Sequence, residues 1–325
     1  MTKKTLATFL RIFISIVIIA FLFYEYGDLA FAAVSKIVSL GGSLLLVFAI
    51  ILQFGEKFVR IYSFKVLIRK NGVDLNFLKL VRISFISNFF GLIIPGTQGE
   101  DVVRVFYLRK YFSGYAAPLS STITLNVGNI FCAGVLSLLG LVLIDLIGWN
   151  INAVLLNSVA ILSATTIAIC LTALIRTIRR FFLRLTTVHY GKLFNKPMGF
   201  LNKVIHHFDQ QIETQHLMVI FFLSTLCFMI AIFRTYILAL AFGLDVHLIY
   251  FIILVPAVAI LTTLPLSFAG IGVRESAFIF FLGTLSVDQG SAFALGLFAT
   301  LLNFLFTLSG GLIYLSDTLR GEKTA

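Results

Sequence analysis

Eight apolar runs follow one another along this chain, near residues 6–24, 42–64, 83–94, 118–147, 151–175, 217–242, 249–282 and 290–316. About 20 residues of helix cross the hydrocarbon layer of a bilayer, and most of these runs are that long or longer. Lipid offers no water to unpaired backbone groups, so continuous apolar segments of this kind satisfy themselves as helices. The rest of the chain agrees: of 325 residues, 59% are hydrophobic, only 12% are charged and 35 are phenylalanine. A mean hydropathy of +1.04 lies outside the range of soluble domains. The expectation is an all-α polytopic membrane protein, a single domain over 1–325.

The formal charge of +11 does not point to nucleic acid, because the basic residues fall in short blocks between apolar runs, where the positive-inside bias places them. Those blocks, at 3–11, 57–82, 104–110 and 176–203 with Arg320 and Lys323, are expected on the cytoplasmic side of the cell membrane, and both termini with them. Segments 25–36, 145–152, 243–248 and 284–289 are nearly free of basic residues and are expected to face outward. The triplet AFA at 30–32 follows a polar EYGD, so the first run reads as an uncleaved span rather than a signal peptide. Cys132, Cys170 and Cys227 sit in apolar segments without CxxC spacing and read as packing residues.

Orientation by charge has a further consequence. Run 83–94 is preceded by Lys79 and Arg82 and followed by Arg104, Arg109 and Lys110, so both of its ends belong on the cytoplasmic side, and it should enter and turn back. Run 249–282 lies between Asp245 and His247 on one side and Asp288 on the other, both outward, and should do the same from outside. Each breaks at a similar sequence, IIPGTQGEDVVR at 93–104 and LPLSFAGIGVRE at 264–275. Pro95 and Pro265 are 170 positions apart (265 minus 95), and the next runs, from 118 and 290, are 172 apart (290 minus 118). The expected architecture is therefore about six transmembrane helices plus two re-entrant helical hairpins, arranged as an inverted repeat with halves 1–147 and 151–320.

Proline removes an amide donor and glycine permits bends, which a membrane tolerates only beside a protein-lined or watery cavity. A charge at mid-bilayer costs about 2.5–3.5 kcal/mol on insertion scales, so Glu100, Asp101, Arg104, Arg274 and Glu275 should face that cavity or one another, joined by Arg234. Glu100 with Arg104 and Arg274 with Glu275 could equally be ion pairs that fix packing, and the glycines could be close-packing positions. In the second run Gln53, Glu56, Arg60 and Ser63 recur at helical spacing, as a polar stripe or as a surface pair of Glu56 with Arg60.

Asn88, Pro95, Gly96, Gly99, Glu100 and Arg104, in the pattern asparagine, apolar residues, Pro-Gly-x-x-Gly-Glu and an arginine a turn later, resemble the lysylphosphatidylglycerol synthase transmembrane-region family of flippase-like proteins. Pro265, Gly270, Gly272, Arg274 and Glu275 resemble that family's Gly-x-Gly-x-Arg-Glu element. The resemblance spans nearly the whole chain. It implies an eight-segment flippase domain that moves aminoacylated phospholipid or polyprenyl-linked glycolipid head groups. The chain ends at Ala325 without the soluble aminoacyltransferase domain of lysyl-lipid synthases, so synthase activity is not implied. Asn126 and Asn129 stand where relatives carry a charged pair.

The chemistry of such a site can be stated from the residues alone. A lipid head group bears phosphate, for which arginine offers a planar fork of donors and the amides near Gly270 and Gly272 offer more. Arg104, Arg234 and Arg274 are the phosphate candidates. Glu100 and Glu275 would pair with an ammonium if the head group carries one.

The cytoplasmic loop 176–215 places Phe194, Met198, Leu201, Ile205, Phe208 and Ile212 on one helical face, with Asn195 before Pro197 as a start. It is expected to lie on anionic inner-leaflet lipid through Lys192, Lys196 and Lys203. His206, His207 and His216 lack metal-ligand spacing. No HExxH, GxSxG or GxxxxGK[ST] is present, so neither enzyme activity nor a cofactor is expected, and transport would be passive or driven by an ion gradient or the membrane potential. Three functions remain open at this point: a lipid flippase or scramblase, a membrane-embedded transferase on a lipid-linked substrate with Glu100 or Glu275 as base, and an accessory subunit. Membrane lipids are the expected partners, and a homo-oligomer is left open.

Overall fold

The structure, a computed structural model, describes residues 3–39, 42–92, 94, 99–112, 114–148, 152–174, 192–211, 214–264, 267 and 270–319. Among them the regular structure is entirely helical: α1 (Lys3–Ser39), α2 (Gly42–Lys70), α3 (Phe77–Gly91), α4 (Gly99–Leu108), α5 (Ala116–Ile147), α6 (Ala153–Leu174), α7 (Lys192–Gln211), α8 (Thr214–Ala241), α9 (Leu248–Thr263), α10 (Val273–Gly283) and α11 (Gln289–Leu319). Among the described residues, five stretches are long and apolar enough to cross a membrane, Ile16–Val34, Ala116–Ile147, Ala153–Thr172, Leu217–Ala241 and Gln289–Leu319. The sixth long helix, α2, has 29 residues and carries Gln53, Glu56, Lys57 and Arg60 through its middle. The chain is a polytopic all-α membrane protein.

Its outer surface is what lipid requires. Leu146, Leu312, Phe222 and Phe31 are between 66% and 77% exposed, a coat that would be aggregation-prone in water. Lipid tails are as apolar as leucine, so burying apolar surface does not drive these helices together; close fit and interhelical hydrogen bonds do. Two apolar clusters result. The larger joins α1, α5, α8, α9, α10 and α11 around Phe242, Phe251, Phe293 and Leu295. The smaller gathers Phe64, Leu67, Leu80, Phe85, Leu108 and Phe306 where α2, α3, α4 and α11 meet.

The two halves exchange partners. α3 packs on α11 and its counterpart α9 packs on α5; α1 packs on α11 and α6 on α5; α2 meets α3 as α8 meets α9; and α2 and α8 lie against each other at the centre. A twofold relation between halves requires this crosswise pairing. Local structure repeats as well. After α2 the amides of Asn71, Gly72 and Val73 donate to the carbonyls of Ile68, Arg69 and Ile68 at 3.0, 3.0 and 3.4 Å; after α8 those of Phe242, Gly243 and Leu244 donate to Ala239, Leu240 and Ala239 at 3.1, 2.9 and 3.0 Å. Gly72 and Gly243, 171 positions apart (243 minus 72), hold the left-handed φ of 80° and 69° that this helix end needs. The sequences that follow, VDLN and LDVH, lead into α3 and α9.

Three features refine the sequence reading. Segment 25–36, expected to face outward, is helical: α1 runs on through Glu25, Gly27 and Asp28 to Ser39. One glycine costs a helix only about 1 kcal/mol, and the close approach of Leu29 to Gly290 of α11 holds the segment in place. The block 104–110 is largely helical, because α4 extends from the hairpin break to Leu108 with Val103, Val105 and Leu108 buried. Third, α7 does not present a single apolar stripe to its surroundings. It docks on α5 with Val204, Phe208 and Gln211 buried, while Phe200 and Leu201 stay exposed; Gln211 donates to Ser121 Oγ at 3.0 Å and accepts from Thr124 Oγ1 at 2.7 Å. Ile212 and all of 176–191 lie outside the described residues, as do the side chains of Lys192, Phe194, Lys196 and Met198.

Candidate functional site

Glycines at the described edges of each break let the hairpins α3–α4 and α9–α10 close. A Cβ on Gly99 would lie 2.2 Å from the carbonyl oxygen of Gly91, and one on Gly91 would lie 2.4 Å from the amide nitrogen of Glu100, so only glycine lets α4 start against the end of α3. In the second half Gly270 and Gly272 turn the chain into α10 with φ of 78° and 86°, and a Cβ on Gly272 would come within 2.8 Å of Ile18. Pro95, Gly96 and Pro265 lie outside the described residues.

A cavity of about 390 Å³ is bordered by Gly91, Leu92 and Gly99 at the first break and by Thr262, Thr263 and Arg274, which flank the second; Gly270 and Gly272 do not line it. Of the residues singled out in the sequence, Asn88, Gly99, Glu100, Asp101, Arg104, Arg234 and Arg274 line it, and Asn126 and Asn129 do too. Glu275 stands behind its wall, fully buried. The polar stripe of α2 faces inward rather than forming a surface pair: Glu56, Lys57 and Arg60 line the cavity, and Gln53 and Ser63 are buried.

Most of these charges are matched. Glu56 receives Arg234 Nη1 at 2.5 Å on Oε2 and Arg60 Nη2 at 3.3 Å on Oε1, and Arg234 also donates to Gln53 Oε1. Gln53 in turn donates to Asn303 of α11 at 3.0 Å, so one polar chain crosses α8, α2 and α11. In the first hairpin Arg104 bonds both Glu100 and, at 2.9 Å, Asp101; Asn126 of α5 donates to the other oxygen of Asp101 at 2.7 Å. Asn129 accepts from Ser224 of α8 at 2.7 Å, and Asn88 accepts from Thr307 of α11 at 3.0 Å.

Arg274 and Glu275, adjacent in sequence, do not pair. Glu275 accepts the Gly272 amide at 2.7 Å and the Thr300 hydroxyl at 2.5 Å; this caps the first turn of α10, whose positive end favours a carboxylate. Arg274 donates to Thr300 Oγ1 at 3.0 Å and otherwise faces the cavity. Lys57, which the residue pattern did not single out, borders the same space with Nζ 5.3 Å from the centroid of the Phe306 ring. Of the three phosphate candidates, then, Arg104 and Arg234 are bound to carboxylates and Arg274 is not. The arrangement can hold a polar, charged group among apolar helices and offer it cationic donors.

No curated protein and no solved structure matches the chain. A family model described as the lysylphosphatidylglycerol synthase TM region matches residues 8–311, a span that includes both hairpins and every residue of the cavity. The chain belongs to that family.

Proposed function

We propose that this protein moves the polar head group of a membrane lipid from one leaflet to the other through the central cavity, while the acyl tails remain in the surrounding lipid. The observation that carries this reading is that residues at or flanking the breaks of both hairpins, one from each half, border one charged cavity walled by the long apolar helices. Crosswise packing of the halves supports an inverted repeat, in which the α3–α4 hairpin enters from the cytoplasm and the α9–α10 hairpin from outside. An inverted pair of this kind lets either hairpin yield without the other, which is the basis of alternating access. With both termini cytoplasmic, α7 lies at the inner face of the cell membrane, where exposed Lys203 meets anionic lipid.

The test is head-group sidedness in proteoliposomes holding a fluorescent lipid. The chain should accelerate exchange between leaflets, and Arg274→Ala and Glu100→Ala should each slow it at least about tenfold, the loss of one hydrogen bond to a charged group. The recovered lipid should be chemically unchanged. A covalently altered lipid would establish a transferase instead, and unaltered exchange in both variants would refute a role for the cavity.

A further inference from the structure

We infer that the cavity binds the phosphate of an anionic lipid head group between Lys57 and Arg274, and selects against head groups of net positive charge. This rests on the head-group reading above and narrows its substrate class.

The charges decide it. Lys57, Arg60, Arg104, Arg234 and Arg274 line the cavity against Glu56, Glu100 and Asp101, a formal excess of two positive charges (5 minus 3), or one when Glu275 behind the wall is included. Both oxygens of Glu56 are taken by arginines. Both oxygens of Asp101 are taken by Arg104 and Asn126. Both oxygens of Glu275 are taken by Gly272 and Thr300. Glu100 has one oxygen on Arg104, which leaves the other as the single carboxylate oxygen uncommitted among the described residues of the site. An incoming ammonium would therefore find one uncommitted carboxylate oxygen and five cations among the described residues of the site.

The excess is localised. Among the described residues, neither Lys57 nor Arg274 has a carboxylate within ion-pair distance: Lys57 lies over the Phe306 ring and Arg274 has one hydrogen bond, to a threonine. A guanidinium carries five donors, so four remain for a ligand. Uncompensated cations among apolar helices are costly. A phosphate would supply both the missing charge and the acceptors, with short charge-assisted bonds to arginine.

The experiment uses the full chain in a neutral detergent and follows its thermal unfolding midpoint while four probes are titrated: dioctanoyl phosphatidic acid, dioctanoyl phosphatidylcholine, dioctanoyl trimethylammonium propane and inorganic phosphate. Phosphatidic acid should raise the midpoint at the lowest concentration, phosphatidylcholine at a higher one, and the cationic lipid should not raise it. Lys57→Gln and Arg274→Gln should each weaken phosphatidic acid about tenfold or more, and Lys57→Arg should restore binding. The wild-type comparison needs no variant to fold. The inference is overturned if the cationic lipid stabilises the wild type as well as phosphatidic acid does, if the glutamine variants bind unchanged, or if inorganic phosphate alone matches the lipid. Arg274-dependent binding without exchange between leaflets would sink the proposed function and leave this inference standing. Exchange of a cationic lipid that Glu100→Ala slows and Lys57→Gln leaves unchanged would do the reverse.

Discussion

Glu56 holds two arginines, one from its own helix and one from α8, and both would be left without a carboxylate partner if it were removed. Breaking a buried pair strands the remaining charge, at about 3 kcal/mol or more. Glu56→Ala is therefore expected to lower stability by that amount in thermal unfolding of the detergent-solubilised chain. The double variant Glu56→Ala with Arg234→Ala should be less destabilised than the sum of the two single changes; additive losses would show that the pair is not coupled. The charged residues were legible in the sequence, since charge within an apolar run is conspicuous, but their partners were not. Arg234 and Glu56 are 178 positions apart, and no local pattern joins them, so Arg234 read as a phosphate ligand. Lys57 escaped notice because it falls off the stripe of Gln53, Glu56, Arg60 and Ser63.

At the level of helices, the hairpins depend on glycine for two different reasons, and the reasons separate by experiment. Gly99→Ala puts a methyl carbon against a backbone oxygen that cannot give way, so its cost should reach or exceed the about 1–3 kcal/mol of ordinary overpacking. Gly272→Ala meets a side chain, Ile18, and also a left-handed backbone. Trimming the neighbour with Ile18→Ala should relieve the clash but leave the conformational strain, about 1–3 kcal/mol. Full rescue in chemical denaturation would assign the whole effect to the contact. A further fastening ties the first hairpin to α11: Arg82 of α3 holds buried Asp317 with two bonds, the Nε one at 2.7 Å. Apart from the C-terminal ends of α1 and α2, the hydrophobic runs marked the long helices to within a few residues. They missed the extent of α3 and α4, because these helices are short and their polar positions, Lys79, Arg82 and Arg104, interrupt the apolar signal. They also ended the first span early, since the polar EYGD reads as a loop until the packing of α1 on α11 is known.

For the whole molecule, the repeat was partly visible in the offsets of the prolines and of the following runs. The clearer signal was the pair of turns GVDLN and GLDVH, 171 positions apart (243 minus 72), whose identity in hydrogen bonding becomes evident only in the folded chain. The sign of the second half relative to the first came from the basic blocks, because hydropathy carries no direction. The proposed inversion would place Asp74, beside Lys65 and Arg69, in the cytoplasm and Asp245 outside, although the two occupy matching turns and both are exposed. In a variant lacking Cys132, Cys170 and Cys227, Asp74→Cys and Asp245→Cys can each be treated with a membrane-impermeant maleimide from one side of oriented vesicles at a time. Asp74→Cys should react only from the cytoplasmic side and Asp245→Cys only from the opposite side; reaction of both from the same side would mean that the two hairpins do not enter from opposite faces.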